Sequence, residues 1–385
     1  MRWKGCALSE SVVTAECYAR LGVRRVVNAA DTYTALGGGR WSPGVAAAVT
    51  EASGHHVSLT ELIGAAGSYL AEAIGVPAAL PVAGAAAGLT ACAAACMTHG
   101  DAALAANLPT RLPAAHEFLM LKSQRTGYDA AIELTGGRIR DIGKSDAPPS
   151  WDLAGEVDER TAAFIWLAGD EFERNAPSLE DMADAARRAG VPLIVDAAAQ
   201  VPPFGNLRAY HDRGADLVVF SGGKGLRGPQ GSGLVVGEAE LVTACRLVAF
   251  PHQYVGRAAK VSKEMIIGLV TAIDEALATD AAQSWVGWEA LLDAIEQAVP
   301  EGLTTYRVRR GRMGQDCPRL YIRWNHAGLS AADLADDFRQ LAVPVEIGLD
   351  RPSASEIFVN PFSVLADEQA YLVSAVEDVL SRRFA

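Results

Sequence analysis

The chain has 385 residues, half of them hydrophobic, and 46 acidic side chains against 34 basic ones give it a formal net charge of −12. That length suits a large domain plus a smaller one with ample core, and the acidic balance argues against a nucleic-acid partner that needs a broad basic face. Six cysteines fall without metal-ligand spacing, and Met1-Arg2-Trp3-Lys4-Gly5-Cys6 has no long apolar core, so neither a metal framework nor a secretory leader is expected and the reducing cytoplasm is the expected compartment.

In chain order, residues 1–20 read as an amphipathic helix and Asn28 to Pro43 as an extended arm with a glycine loop. Helices are expected over Gly44–Val49 and Thr60–Ile74. Val76 to Met97 carries no charge and is long enough to span a bilayer. Its alanine and glycine content, with Pro77 and Pro81 at its start, favours a strand over Ala79–Val82, a turn at Ala83-Gly84 and a buried helix instead. Cys92 and Cys96, four apart, share a face of that helix and are expected in the core. Strands are then predicted at Ala102–Ala105, Phe118–Leu121, Ile139–Ile142, Ala163–Leu167, Leu193–Val195, Leu217–Phe220 and Leu234–Val236, with a helix from Glu180 to Ala189 stopped by Gly190. This alternation predicts an α/β fold with a mostly parallel sheet covered on both faces. A long helix over Val261–Leu277 leads to an α+β region with strands Leu320–Trp324, Val345–Ile347 and Ile357–Val359 and helices Ala331–Leu341 and Glu368–Arg382. The predicted division is 1–59 for the leading helix and arm, 60–260 for a large domain, and 261–385 for the linking helix and a small domain.

Two strand ends carry the chemistry. Leu217-Val218-Val219-Phe220 runs into Ser221-Gly222-Gly223-Lys224-Gly225, which places one lysine just past a buried strand. A lysine desolvated there loses proton affinity and becomes a candidate nucleophile. Upstream, Leu193-Ile194-Val195 ends in Asp196-Ala197-Ala198-Ala199-Gln200, an acid followed by small residues at the strand edge where α/β sheets bind ligands. Singly, Lys224 suits a plain turn and Asp196 a helix cap. Together they are the pair that pyridoxal 5'-phosphate (PLP) requires: a lysine to hold its aldehyde and a carboxylate to keep its ring nitrogen protonated. The alanines, Ala198 among them, leave room for a flat ring.

The stretch from Asp196 to Gln200, with Phe220 to Gly233, resembles the fold-type-I PLP enzymes, in the branch related to L-seryl-tRNA selenium transferase. Within that branch it is most similar to the D-glucosaminate-6-phosphate ammonia-lyase group. Gly22 to Ala30, Leu36 to Pro43, Ala83 to Ala87 and Gly256 to Glu264 extend the resemblance, which runs from about Gly22 to Ala276. It implies a fold-type-I architecture, phosphate binding by Gly84, Ala85 and Ala86 at a helix N-terminus, and at least a homodimer. Ala83 stands where many relatives have a hydroxyl, and Ser221 is a candidate replacement donor. Gln124 stands where relatives have a histidine that stacks on the ring; an amide can lie flat but cannot act as acid or base near neutrality. Gln124 also suits a surface loop.

Arg40, after three glycines, and Arg257 and Lys260, three apart at an expected helix start, are candidates for binding the substrate's anionic parts, against the alternative of solvated surface charge. His55 and His56 are further candidates to reach the pocket from a neighbouring subunit. The resemblance favours a lyase that removes ammonia from a hydroxylated amino acid or amino sugar acid, by α-proton abstraction and β-elimination, to give a 2-keto acid. A PLP-dependent racemase or epimerase, an aminotransferase, and a catalytically silent PLP-binding regulatory protein are the alternatives. Racemisation would need a second acid, with Tyr128 or a histidine near His55 available.

Overall fold

The computed structural model describes residues 16–143, 153–326 and 328–384. Most of the leading helix expected over 1–20 lies outside them; a single turn, Glu16–Ala19, is described. Two compact units emerge. One lies within Met1–Leu36, Asp280–Gly311 and Asp316–Ala385, the other comprises Gly37–Thr279 with Arg312–Gln315.

The second unit is built on a seven-stranded sheet, whose strands are β1 Ala78–Val82, β2 Glu117–Leu121, β3 Arg138–Ile142, β4 Thr161–Leu167, β5 Leu193–Asp196, β6 Leu217–Ser221 and β7 Gly233–Gly237. Their spatial order is β1-β7-β6-β5-β4-β2-β3. Strands β2 to β6 pair in parallel, and β7 runs antiparallel to both β6 and β1. Pro81 sits in β1, an edge strand, where its missing N–H costs no ladder bond. Apart from the edge strand β3, where Arg138, Arg140 and Asp141 interrupt the run, the strands read as nearly continuous hydrophobic runs because both faces are covered. Leu217 and Val219 join one buried layer with Phe118, Met120 and Ile165; Val218 and Phe220 join the other with Phe164, Trp166 and Val195.

The helix Gly84–Thr98 is buried from Gly88 onward. Small side chains are needed there: a Cβ on Gly88 would come within 2.8 Å of Val219. Cys92 and Cys96 are buried on it, as expected. Helices Pro43–Ser53, Leu59–Ile74, Leu179–Ala189 and Lys263–Ala278 match the periodicity, and Ser42, Ser58, Ser178 and Ser262 cap their N-termini. One segment departs from expectation. Ala102–Ala105 is a helical turn, because the Asp101 carboxylate accepts from the N–H groups of Ala103 and Leu104 and alanine favours the helix.

The other unit has a three-stranded antiparallel sheet, ordered Glu356–Val359, Arg319–Arg323, Thr304–Val308, and a parallel pair, Val27–Ala29 with Val345–Ile347. Helices Ala281–Gln297, Ala331–Arg339 and Gln369–Phe384 accompany a core that includes Leu292, Leu320, Phe338 and Leu372. No helix among the described residues is long and apolar enough to cross a membrane.

Candidate active site

Register alone gathers the predicted residues on one sheet edge. Val82 at the end of β1 pairs with Gly233 of β7, Gly233 with Ser221 of β6, Val219 of β6 with Asp196 of β5, and Asp196 with Leu167 of β4. The Gly84 turn, Ser221, Asp196 and Lys224, three residues beyond β6, therefore share the carboxyl-terminal edge of the parallel strands. Ligands of open α/β sheets bind in that crevice.

Lys224 is half-buried. Its flanking glycines serve backbone packing more than free space around the amine. A Cβ at Gly225 would fall on the Val201 carbonyl, and one at Gly223 on the Gln230 backbone. The Lys224 carbonyl accepts from the Arg227 N–H at 3.0 Å, which closes the turn.

Asp196 keeps some exposed surface, yet protein surrounds its carboxylate. Burial raises its pKa, while a 3.0 Å hydrogen bond from the Ala198 N–H to Oδ1 and the charge of Lys224 pull it back; Asp129 adds a small upward push. A carboxylate held this way gains from a cationic partner, and a protonated ring nitrogen is one.

The helix after β1 starts at Gly84 in the left-handed region, φ 81°, and Ala83 offers no side-chain cap. The first N–H groups of Gly84, Ala85 and Ala86 lack intrahelical acceptors, as at any helix start, and the dipole adds positive character. Gly233 lies against this turn so closely that a Cβ there would stand 2.5 Å from the Gly84 carbonyl carbon. Ser221 is buried beside it.

Gln124 is buried and fully engaged: Oε1 accepts from Leu167 N–H at 3.0 Å, and Nε2 donates to the carbonyls of Leu167 at 3.2 Å and Phe172 at 3.3 Å. Its amide thus pins the turn after β2 to the end of β4, one strand from Asp196. Arg40 is exposed at the end of the glycine loop, whose Gly39 N–H donates to the Gly223 carbonyl at 2.7 Å. Arg257 and Lys260 do not share a helix face. Ser262 caps the following helix, which starts at Lys263, so both precede it in irregular chain. The Arg257 guanidinium lies 5.1 Å over the Phe250 ring. A cavity of about 340 Å³ is walled by Phe250 and Gly256 on one side and by Ala83 and Ala86 on the other, which brings this stretch beside the Gly84 turn. Lys260, Tyr128, His55 and His56 are exposed.

Sequence reasoning passed over two residues here. Gln200 is buried, with Nε2 donating to Ala168 O at 3.0 Å and Met313 O at 2.6 Å, so it ties the loop after β5 to that after β4 and to the segment 312–315. Its place closing the Asp-Ala-Ala-Ala-Gln run was the available signal. Arg227 had none beyond its nearness to Lys224. Among the described residues no cluster of His, Cys, Asp and Glu suits a metal ion.

A lysine just past one strand end and a carboxylate at the next lie by an uncapped helix N-terminus, and comparison with known proteins gives the family to which this fold belongs. The aminotransferase class-V family model matches residues 157–298. The chain is 33% identical over 379 residues to 5'-C-glycyluridine monooxygenase-decarboxylase of Streptomyces sp, covering 94% of this chain and 92% of that one. It is 28% identical to D-glucosaminate-6-phosphate ammonia lyase of Salmonella typhimurium (strain 14028s / SGSC 2262), covering 95% and 98% respectively. A solved structure of D-glucosaminate-6-phosphate ammonia-lyase superposes with a TM-score of 0.82 at 27% identity, over 96% of this chain and 99% of that one. The chain belongs to the fold-type-I PLP-dependent enzymes of the selenium transferase-like family.

Proposed function

We propose that the protein is a PLP-dependent ammonia-lyase that acts on a hydroxylated amino acid or amino sugar acid. The observation that carries the cofactor assignment is that Asp196 ends one strand and Lys224 lies three residues past the end of its neighbour, beside the uncapped Gly84 turn. The residues fit the group: N–H donors for a phosphate, a carboxylate whose burial calls for a cation, and small residues between them. When bound, PLP supplies an electron-withdrawing ring that acidifies the substrate's α-C–H.

The remaining work falls to the chain. Gly84, Ala85 and Ala86 hold the phosphate through backbone N–H groups, with Ser221 as an added donor. Asp196, oriented by the Ala198 N–H, keeps the ring-nitrogen proton in place. The Lys224 amine would hold the cofactor's aldehyde, and at that strand end it would be the base that takes the substrate's α-proton. Arg40, Arg257 and Lys260 bind anionic groups remote from the reacting carbon, and Gln124 shapes the wall without exchanging protons. Breaking the α-C–H and β-C–OH bonds expels water, and hydrolysis then releases ammonia and the 2-keto acid. The full-length similarity to an ammonia lyase supports this outcome. The same resemblance supports at least a homodimer in the cytoplasm, which sedimentation and fractionation would test.

A second reading is favoured by the 33% identity to a monooxygenase-decarboxylase. There a carboxyl group would leave as carbon dioxide with consumption of oxygen. The deciding experiment gives purified, PLP-loaded protein a panel of hydroxylated and unhydroxylated amino acids with and without oxygen. Ammonia and 2-keto acid released without oxygen support the lyase. Carbon dioxide released only with oxygen supports the second reading. Enantiomer interconversion without ammonia would make the protein a racemase, amino transfer to a keto acid an aminotransferase, and no turnover a silent binder.

A further inference from the structure

The turn that carries Lys224 closes on itself. The Arg227 N–H donates to the Lys224 carbonyl at 3.0 Å and the Gly228 N–H to the Gly222 carbonyl at 2.9 Å. It leans on the helix Lys263–Ala278, where a Cβ on Gly222 would come within 2.8 Å of Leu269 and one on Gly228 within 3.2 Å of Ala272. Its other neighbour is the arm from Gly37 to Arg40, irregular chain with no strand ladder to hold it in place. Gly38 and Gly39 are nevertheless buried against the turn. A Cβ on Gly38 would collide with the Gly223 carbonyl, and one on Gly39 would stand 2.5 Å from the Lys224 carbonyl.

Two hydrogen bonds tie the arm to the turn. The Gly39 N–H donates to the Gly223 carbonyl at 2.7 Å, and the Arg227 Nε–H donates to the Arg40 carbonyl at 3.2 Å. Arg227 is held for this at φ 59°, in the left-handed region that disfavours side chains and is concentrated at functional sites. The other non-glycine residue there among the described ones, His99, ends a helix. The Arg227 side chain is half-buried. Burial lowers its pKa, the Arg40 charge lowers it further, and Glu275 opposes them. The charge is a burden at this spot, whereas the Nε–H has a partner.

We propose that Arg227 is a positioning residue for Lys224, and that its Nε–H rather than its charge pins the glycine arm against the lysine turn. This rests on the reading of Lys224 as the amine that holds the cofactor. The amine sits at the end of a flexible stem, so the backbone beneath it sets its reach. A misplacement of about 1 Å in such a group can cost about a hundredfold in rate.

The test separates the donor from the charge. Glutamine carries Nε2 where arginine carries Nε, so Arg227→Gln keeps the N–H and drops the charge. Arg227→Leu keeps the bulk and has neither. Arg227→Gly also has neither, and it relieves the backbone at φ 59°, so it keeps the fold. In the cofactor-free chain, hydrogen exchange at the Gly39 and Gly228 amides should speed up about tenfold in the Leu and Gly variants and stay at the wild-type rate in Arg227→Gln. The Ala197 amide, which donates to the Val219 carbonyl at 3.0 Å across β5 and β6, should be unchanged in all three. Added PLP should become trappable by borohydride on Lys224 about tenfold more slowly in the Leu and Gly variants, again with Arg227→Gln like wild type. In a Lys224→Ala background, Arg227→Leu should leave PLP affinity unchanged, since the Gly84 turn and Asp196 are untouched. An Arg227→Gln variant as impaired as Arg227→Leu would show that the charge is what matters and overturn the proposal. So would wild-type exchange and trapping in the Leu and Gly variants, or an equal loss of PLP affinity in the Lys224→Ala background. A wild-type protein that forms no borohydride adduct would instead sink the cofactor reading, and exchange at Gly39 and Gly228 would still decide whether Arg227 pins the arm.

Discussion

Asp196 couples cofactor chemistry to stability. Its folded-state pKa is raised by burial above the ordinary aspartate range, so its stabilising contribution is present at low pH and is lost as pH rises through the raised value. The cofactor-free protein should therefore lose stability through that window, and Asp196→Asn should remove the penalty. We expect the Asn variant, free of cofactor, to melt at or above the wild-type temperature at neutral pH. It should still be fixed to PLP through Lys224 by borohydride, yet lose several orders of magnitude in kcat, since each pKa unit withheld from the ring nitrogen is worth about 1.4 kcal/mol. Near-normal turnover in that variant would reduce Asp196 to a structural cap. Lys224→Ala should bind PLP without forming the borohydride adduct, and peptide mapping of the reduced wild-type protein should find it on Lys224. An adduct on Lys260 or Lys263 would displace the assignment. The places of Lys224 and Asp196 at the ends of buried strands were legible because an apolar run stops at each. The engagement of Gln124 was not, since a carboxamide in a polar run gives no hint that its partners are the backbone of β4, more than forty residues away.

At the scale of elements, the lysine turn works as a packed assembly of backbones, and its glycines are steric requirements. Gly225→Ala should push against the Val201 peptide, a backbone neighbour that cannot swing aside. Overpacking of this kind costs about 1–3 kcal/mol, so the variant should melt lower and hold PLP more weakly, as urea titration and cofactor retention on gel filtration would show. The strands of the large sheet were readable from sequence because burial on both faces leaves uninterrupted apolar runs such as Leu217–Phe220. Thr304–Val308 was not readable: it is an edge strand with no fully buried residue. Helix Ala281–Gln297 was also missed, since it buries only Leu291, Leu292 and Ile295; its one clear signal was Asp280, which caps it by accepting from Ala282 and Gln283. Arg257 and Lys260 misled for the opposite reason. Their spacing suits a helix, but the capping serine lies after them.

For the whole molecule, the proposed site draws on chain that is distant in sequence, from Arg40 through Gly84 and Asp196 to Lys224. Cofactor binding should then stabilise the folded state by mass action, about 2.7 kcal/mol at a hundredfold excess over Kd. Hydrogen exchange should slow on adding PLP chiefly at the ends of β4, β5 and β6 and in the first turn of the Gly84 helix. Equal protection across helix Gln369–Phe384 would show that the stabilisation is global instead.

The excursion of residues 312–315 carries a practical consequence for dissection. The chain leaves the larger unit at Thr279, contributes strand and helix to the other, returns for four residues, and departs again. During that return Met313 accepts from Gln200, and Arg312 pairs with Glu171. A fragment truncated at Thr279 would contain every residue assigned here to cofactor binding and still lack the Gln200 partner at the rim of the crevice. Such a fragment should express poorly or bind PLP weakly, and supplying residues 280–385 in trans should restore binding where a short 312–315 peptide does not. The architecture is threaded, so its halves are not modules that evolution or an experimenter can exchange with one cut.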